Sequence, residues 1–329
     1  MDLVTTLPLA ALAVMLEACF GYPDGLFHAV DHPVTWIGGL VSACDAGLNR
    51  ASLPFTLRRA CGFIATGLVL SIVTGVAFVI VHAFASLPSL ISVPLMAFLG
   101  SSFVAQRSLY THVYAVAESL DQSGLDAGRK AVAKIVGRDV DTLDPSGVAR
   151  AAIESLAENF SDAVVAPAFF LALFGLPGGA CYKAINTADS MIGHKTARYA
   201  DFGRAAARLD DWVNFPAARL AAFLILGAAL IVPGASARNA WRVLWRDARR
   251  HRSPNAGWPE AAMAGALGLR LSGPRVYEGE QAPEPWIGDG NELLGPEDIE
   301  RALKLYRAAC AALWALAAAG ALVVAMVAR

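Results

Sequence analysis

Three carboxylates at four-residue spacing, Glu154, Glu158 and Asp162 in the string Glu-Ser-Leu-Ala-Glu-Asn-Phe-Ser-Asp, run directly into an uncharged apolar segment marked by Pro167. On a helix that spacing sets them along one face at about 6 Å per step. Like charges so placed repel, and a carboxylate at membrane depth costs about 3 kcal/mol or more. The pattern calls for a cation or a metal opposite. With Asn159, Ser155 and Ser161 beside them, the acids suit a hard cation or a metal-bound phosphate, because Mg²⁺ takes one or two carboxylates plus substrate oxygens.

Three further polar clusters share the chain with this one. An early turn carries Asp24 and His32, followed by Pro-Val-Thr-Trp-Ile-Gly. A long central segment holds Lys183, Asn186, Asp189, Ser190, Lys195, Arg198, Arg208, Asp210, Asp211 and Asn214. Offsets of three, six and seven put Lys183, Asn186, Asp189 and Ser190 on one side of a helix. Its lysines and arginines are what binding of a phosphate requires. The last cluster, Ser253-Pro-Asn-Ala-Gly-Trp-Pro-Glu260, offers Asn255 and Glu260. Gly193-His-Lys-Thr resembles the end of a P-loop, but the upstream glycine and the preceding apolar strand are missing.

These clusters have to be positioned by apolar helices. Of the 329 residues 56% are hydrophobic and only 17% charged, with a mean hydropathy of +0.48. That composition excludes an ordinary soluble enzyme. Uncharged stretches of about 20 residues run from Ala60 to Val81, Ala83 to Ala105 and Ala308 to Ala328, with weaker candidates at Leu3–Cys19, Ala163–Tyr182 and Leu220–Ala237. Pro167 and Pro177 predict a kinked, re-entrant or protein-buried helix in the fifth of these. The expected fold is an all-α, polytopic membrane bundle with some broken or re-entrant helices and polar loops, a single catalytic domain over residues 1–329. Leu3–Cys19 lacks a basic flank and a small-residue cleavage site, so it reads as a retained helix.

The formal net charge of −1 gives no field for nucleic acid. Arg50, Arg58 and Arg59, and then Arg107 through Arg150, mark cytoplasmic loops under the positive-inside rule. Both segments flanking Leu220–Ala237 are basic as well, which conflicts with a simple crossing there. Five scattered cysteines with no C-x-x-C suggest neither a disulfide framework nor a zinc site.

In order and over nearly the whole length, His-Pro-Val-x-Trp-Ile-Gly, Ala-Glu-Asn-x-Ser-Asp, Asn-Thr-x-Asp-Ser-Met-x-Gly, Ala-Arg-Leu-Asp-Asp and Ser-Pro-Asn-Ala-Gly-Trp resemble the CobD/CbiB family of cobalamin biosynthesis proteins. Tyr22, Phe160 and Ala163 depart from the family pattern, so their side chains are not assigned roles. The resemblance implies a multi-pass enzyme of the bacterial inner membrane. Its reaction would use ATP to join a propionate of adenosylcobyric acid to the amine of (R)-1-amino-2-propanol O-2-phosphate, giving adenosylcobinamide phosphate. Other enzymes of the cobalamin pathway are further partners that it suggests.

Such chemistry needs carboxylate activation, expected through an acyl phosphate made with Mg-ATP, together with cations for phosphates and a base for the ammonium. Glu154, Glu158, Asp162 and Asp189 are the catalytic candidates. Glu158, Asp162, Asp189, Asp210 and Asp211 are candidate metal ligands. His32, Asn159, Lys183, Asn186, Lys195, Arg198, Arg208, Asn214, Asn255 and Glu260 are candidate substrate or phosphate contacts. Because ATP is cytosolic, the third and fourth clusters are expected on the cytoplasmic side. Two other classes compete: a transporter, which should show inverted repeats that are absent from the sequence, and a CDP-alcohol-type phosphotransferase, whose signature spacing fails at Arg198, Gly203, Asp210 and Asp211.

Overall fold

The computed structural model describes residues 2–22, 25, 31–137, 139–277, 280–282 and 284–328. Asp24 and Arg138 lie outside the described residues. The elements are helical except for four very short strands. In chain order the helices are α1 (Leu3–Phe20), α2 (Pro33–Leu48), α3 (Phe55–Phe84), α4 (Ser89–Ser101), α5 (Gln106–Gln122), α6 (Leu125–Val132) and α7 (Pro145–Asn159). A π-helical turn (Phe160–Val165) leads into α8 (Ala166–Ile192), followed by α9 (Arg204–Ala228), α10 (Ala237–Asp247), α11 (Gly257–Leu267) and α12 (Pro296–Val327). Two antiparallel pairs sit between α11 and α12: β1 (Leu271–Ser272) with β4 (Trp286–Ile287), and β2 (Arg275–Tyr277) with β3 (Glu280–Ala282). Among the described residues, five helical runs are long and apolar enough to cross a membrane: Leu3–Phe20, Phe55–Phe84, Ser89–Gln122, Pro145–Ile192 and Pro296–Val327.

The chain divides into two compact units. One comprises residues 1–105, 166–214 and 316–329; the other comprises 106–165 and 215–315. In the first, α8 packs against α1, α3 and α4, and α2 packs on α3 and α8. Ile37 and Val41 meet Ala65, Val69, Ala184, Ala188, Ile192 and Phe202 in a dry cluster. The alanines let the helices approach closely, which is how helices associate where lipid removes the hydrophobic drive.

α8 is broken, as its prolines predict. Gly175 takes φ 66° and ψ −157°, a conformation suited to glycine, and Pro177 has no N–H to give the preceding turn. Just before the break, the Thr6 hydroxyl donates to the Ala172 carbonyl at 2.6 Å. The two arms fold back on each other. Phe170 and Tyr182, about 18 Å apart along a straight helix, stack with ring centroids 5.2 Å apart. A Cβ on Gly178 would fall 2.7 Å from the Phe170 carbonyl oxygen, so the return arm needs glycine there. This is a helical hairpin whose second arm carries the Lys183–Ser190 face.

The second unit is built around α11, every residue of which is buried, in keeping with a helix that is apolar on every side except at Glu260. It packs on α10 and α7. Phe160 meets Tyr306 edge-on at 5.5 Å, and the Tyr306 hydroxyl donates to the Gln106 carbonyl at 2.8 Å. Leu220–Ala237 is not one apolar helix: α9 ends at Ala228 and a turn follows.

Candidate functional site

The polar residues of the first unit gather at the C-terminal end of α8, the start of α9 and the loop between them. Asp210 lies at their centre. Its Oδ1 accepts from the Asn186 side-chain amide at 3.3 Å and its Oδ2 from that of Asn214 at 2.9 Å. Asn214, fully buried, accepts in turn from the Tyr182 hydroxyl at 2.8 Å. Burial pushes the Asp210 carboxyl up to about 6, against the pull of the two amide donors, and the charge of neighbouring Asp211 adds to the rise. Asp211 is exposed; the same desolvation raises it, and Lys195 is close enough for its charge to lower it.

Around this chain stand other predicted residues. The Asp189 side chain folds over Gly193, where a Cβ would fall 1.8 Å from its Oδ1. His32 caps α2, with Nδ1 accepting from the Val34 N–H at 3.2 Å, so its proton sits on Nε2. Burial first and then the charge of Lys183 lower its pKa. It is a neutral donor at physiological pH. Lys195 and Arg208 are exposed.

Arg198 is already engaged. Its guanidinium pairs with Asp45, a buried carboxylate on α2 that also accepts from Asn49 at 2.7 Å and from the Tyr199 hydroxyl at 3.3 Å. Arg58 holds Asn49 at 3.2 Å and the Arg198 carbonyl. The hub ties the 193–203 loop, which carries Lys195, to α2 and α3. Sequence reasoning missed Asp45; the signal was a lone acid inside the apolar run Leu40–Leu48. Asp45→Asn is expected to raise the KM for a phosphate-bearing substrate several-fold with little change in kcat, and to speed proteolysis within 193–203. Unaltered kinetics and cleavage would show that the loop holds itself.

In the second unit the carboxylate ladder does not form one uniform wall. Glu154 is buried, with Oε1 accepting from the Ser272 N–H at 2.6 Å; Glu158 is exposed and Asp162 half-buried. Glu154 and Glu158 share the regular helix α7, where the Ser272 backbone covers only the first, and Asp162 falls within the π turn that follows Asn159 and breaks the angular repeat of an α-helix. Glu154 steadies Ser272, a non-glycine residue at φ 61°. Glu154→Ala is expected to cost about 2 kcal/mol, as loss of a buried charged acceptor does, and to speed hydrogen exchange at Ser272. Thermal unfolding and amide exchange read this, and Glu154→Gln should keep much of both.

The remaining candidates also have internal partners. Ser155 Oγ donates to the Ile135 carbonyl at 2.8 Å, and Asn159 donates to the Ser155 carbonyl at 2.9 Å. Asn255 accepts from Arg219 at 2.8 Å, while that guanidinium lies 3.6 Å from the Phe215 ring centroid and 4.5 Å from that of Trp258. The Ser-Pro-Asn-Ala-Gly-Trp motif is therefore an arginine cage. Glu260 is buried, with Oε1 3.7 Å from His251 Nε2.

Among the described residues, no three His, Cys, Asp or Glu side chains form a metal-ligand set. Such scattered carboxylates fit a Mg²⁺ that keeps most of its waters rather than one caged by protein, since Mg²⁺ takes one or two carboxylates. Asp211, exposed and close to Lys195, is one of that kind.

Helices long enough to span and a broken helix folded back on itself define a polytopic helical membrane protein. Residues 10–306 match the family model described as CobD/Cbib protein, and the chain belongs to that family. It is 51% identical over 308 residues to a cobalamin biosynthesis protein CobD of Sinorhizobium sp, covering 93% of this chain and 95% of that one. A CobD of Rhodobacter capsulatus is 48% identical over 305 residues (91% and 92%), and that of Brucella suis biovar 1 is 47% identical over 302 (90% and 91%). No solved structure matches. The chain has a role in cobalamin biosynthesis.

Proposed function

We propose that this protein is an ATP-dependent amide ligase of the bacterial cytoplasmic membrane. It joins a propionate of adenosylcobyric acid to the amine of (R)-1-amino-2-propanol O-2-phosphate, forming adenosylcobinamide phosphate. The observation that carries the reading is the half-buried Asp210, anchored on buried Asn214 and Tyr182, with Lys195 and Lys183 in the same unit: a partly desolvated base beside cations suited to phosphate.

In this reading Lys195 and Arg208 hold the phosphate of the amine substrate, and Arg198, neutralised by Asp45, positions the loop that carries Lys195. Asp211 and Asp189 are the carboxylates available to magnesium, with Glu158 and Asp162 the acids of the second unit left for phosphate-metal work. ATP, when bound, supplies the leaving group that turns a carboxylate into an acyl donor. Asp210 takes a proton from the substrate nitrogen as the C–N bond forms; its two asparagine donors fix the carboxylate while leaving lone pairs open. His32 contributes an Nε2–H donor near Lys183.

The test is direct. Purified protein incubated with adenosylcobyric acid, aminopropanol phosphate and Mg-ATP should yield the amide and a hydrolysed nucleotide in equal amounts, and none when any one component is omitted. Well-folded protein that binds the corrinoid without forming product would reduce the role to substrate binding or assembly.

A further inference from the structure

We infer that residues 220–250 form a lipid-inserted hairpin, with the turn after α9 seated among acyl chains and α10 lying in the plane of anionic headgroups. No polar side chain occurs from Leu220 to Ala235. Only Leu220–Ala228 of that stretch is helical, about 13 Å at 1.5 Å per residue against a hydrocarbon thickness of about 30 Å. The segment can enter a bilayer but cannot cross it. Its turn exposes Leu230 and Ile231 at 73% and 74%, an orientation that water penalises and acyl chains do not.

The returning helix has three stripes. Ala240, Val243, Leu244 and Asp247 are buried. Trp241 and Trp245, four residues apart, are half exposed; their rings meet at 5.5 Å, and exposed Phe223 stands 6.4 Å from Trp241. Beyond the tryptophans, successive turns present Arg238, Arg242 and Arg246, followed by Arg249 and Arg250. Arg242 and Arg246 share Asp289, and Arg246 and Arg250 hold Asp247. Arg238 and Arg249 are exposed and have no acidic partner among the described residues.

Apolar tip, aromatic belt and arginine stripe follow one another in the order of the layers of a leaflet: acyl chains, interface, phosphates. That order selects a bilayer over a second copy of the chain or a soluble partner, neither of which would need it. The hairpin also removes the charge conflict, since the basic segments before and after it stay on one side.

The test uses the full chain in vesicles of phosphatidylcholine, with or without phosphatidylglycerol. An environment-sensitive fluorophore on Ile231→Cys, read against identically treated unmodified protein, should emit blue-shifted light. Spin labels deep on the acyl chains should quench it and iodide should not. Val232→Cys serves if the first variant misfolds. Impermeant reagents should reach Arg208→Cys and Arg249→Cys from the same face of the vesicle. Phosphatidylglycerol should raise the melting temperature, and Arg238→Glu with Arg249→Glu should abolish that rise. Iodide quenching at residue 231, energy transfer between labelled copies in place of lipid quenching, or labelling of 208 and 249 from opposite faces would each overturn the proposal.

Discussion

Asp210→Asn is expected to lower turnover about 100-fold or more, the usual cost of removing a general base, with membrane insertion and the KM for the amine substrate little changed. The base must be ionised to act. With its carboxyl raised to about 6 by burial, wild-type kcat should climb as pH rises through about 6 and then level, and that acidic limb should vanish in the variant. Stability runs the other way. A folded pKa above the unfolded value of 3.8 means that the native state holds the proton more tightly. Its contribution is complete below about 4 and lost as pH rises through about 6. Activity thus appears over the range in which this group ceases to stabilise the fold. Single-turnover assays above about pH 5 and thermal melts from about pH 3 to 8, a window that spans both pKa values, measure the two trends. Near-normal turnover in Asp210→Asn would leave the Tyr182–Asn214–Asp210–Asn186 chain as packing.

Gly203→Ala should abolish folded protein altogether. An added Cβ would lie 1.6 Å from the Ile192 carbonyl oxygen and 2.5 Å from its carbon. Both are backbone atoms, which cannot swing away as a side-chain tip can. Overpacking typically costs about 1–3 kcal/mol, and more where the neighbour is rigid, which is a large share of a marginal stability. Gly227→Ala is the control: nothing stands within 4 Å of its Cβ position and it lies inside α9, so alanine should leave stability unchanged or raise it by about 0.5–1 kcal/mol. Detergent-extracted monodisperse protein and its melting temperature report the contrast. Comparable yields of both variants would contradict the close approach of the loop to α8.

The helical membrane architecture was legible because apolar run length responds to bilayer thickness, and the break in α8 because Pro177 has no N–H to give. Asn186, Asp210 and Asn214 were visible as members of one long polar segment, although not their hydrogen bonds to one another. Asp45 was hidden because its partners, Arg198 and Tyr199, stand some 150 positions away, and no periodicity encodes that. The carboxylate ladder was legible as a spacing but not in its burial: Glu154 and Glu158 share one α-helix and differ by what packs on them, and the π turn at Phe160–Val165, which holds Asp162, leaves no composition signal. That Asn255 accepts from Arg219 was not legible either, because the two stand 36 positions apart.

The direction of the hydrogen bonds around Asn214 has one more effect. Because the Tyr182 hydroxyl donates to Asn214 Oδ1, the amide nitrogen is turned toward Asp210. A side-chain amide has no proton that it can release or accept near neutral pH. The link therefore transmits polarisation but insulates against proton transfer: Tyr182 can sense the charge on Asp210 without ever exchanging hydrogen with it. On that side the carboxylate is a dead end, and each proton it gains must depart by the route through which it came.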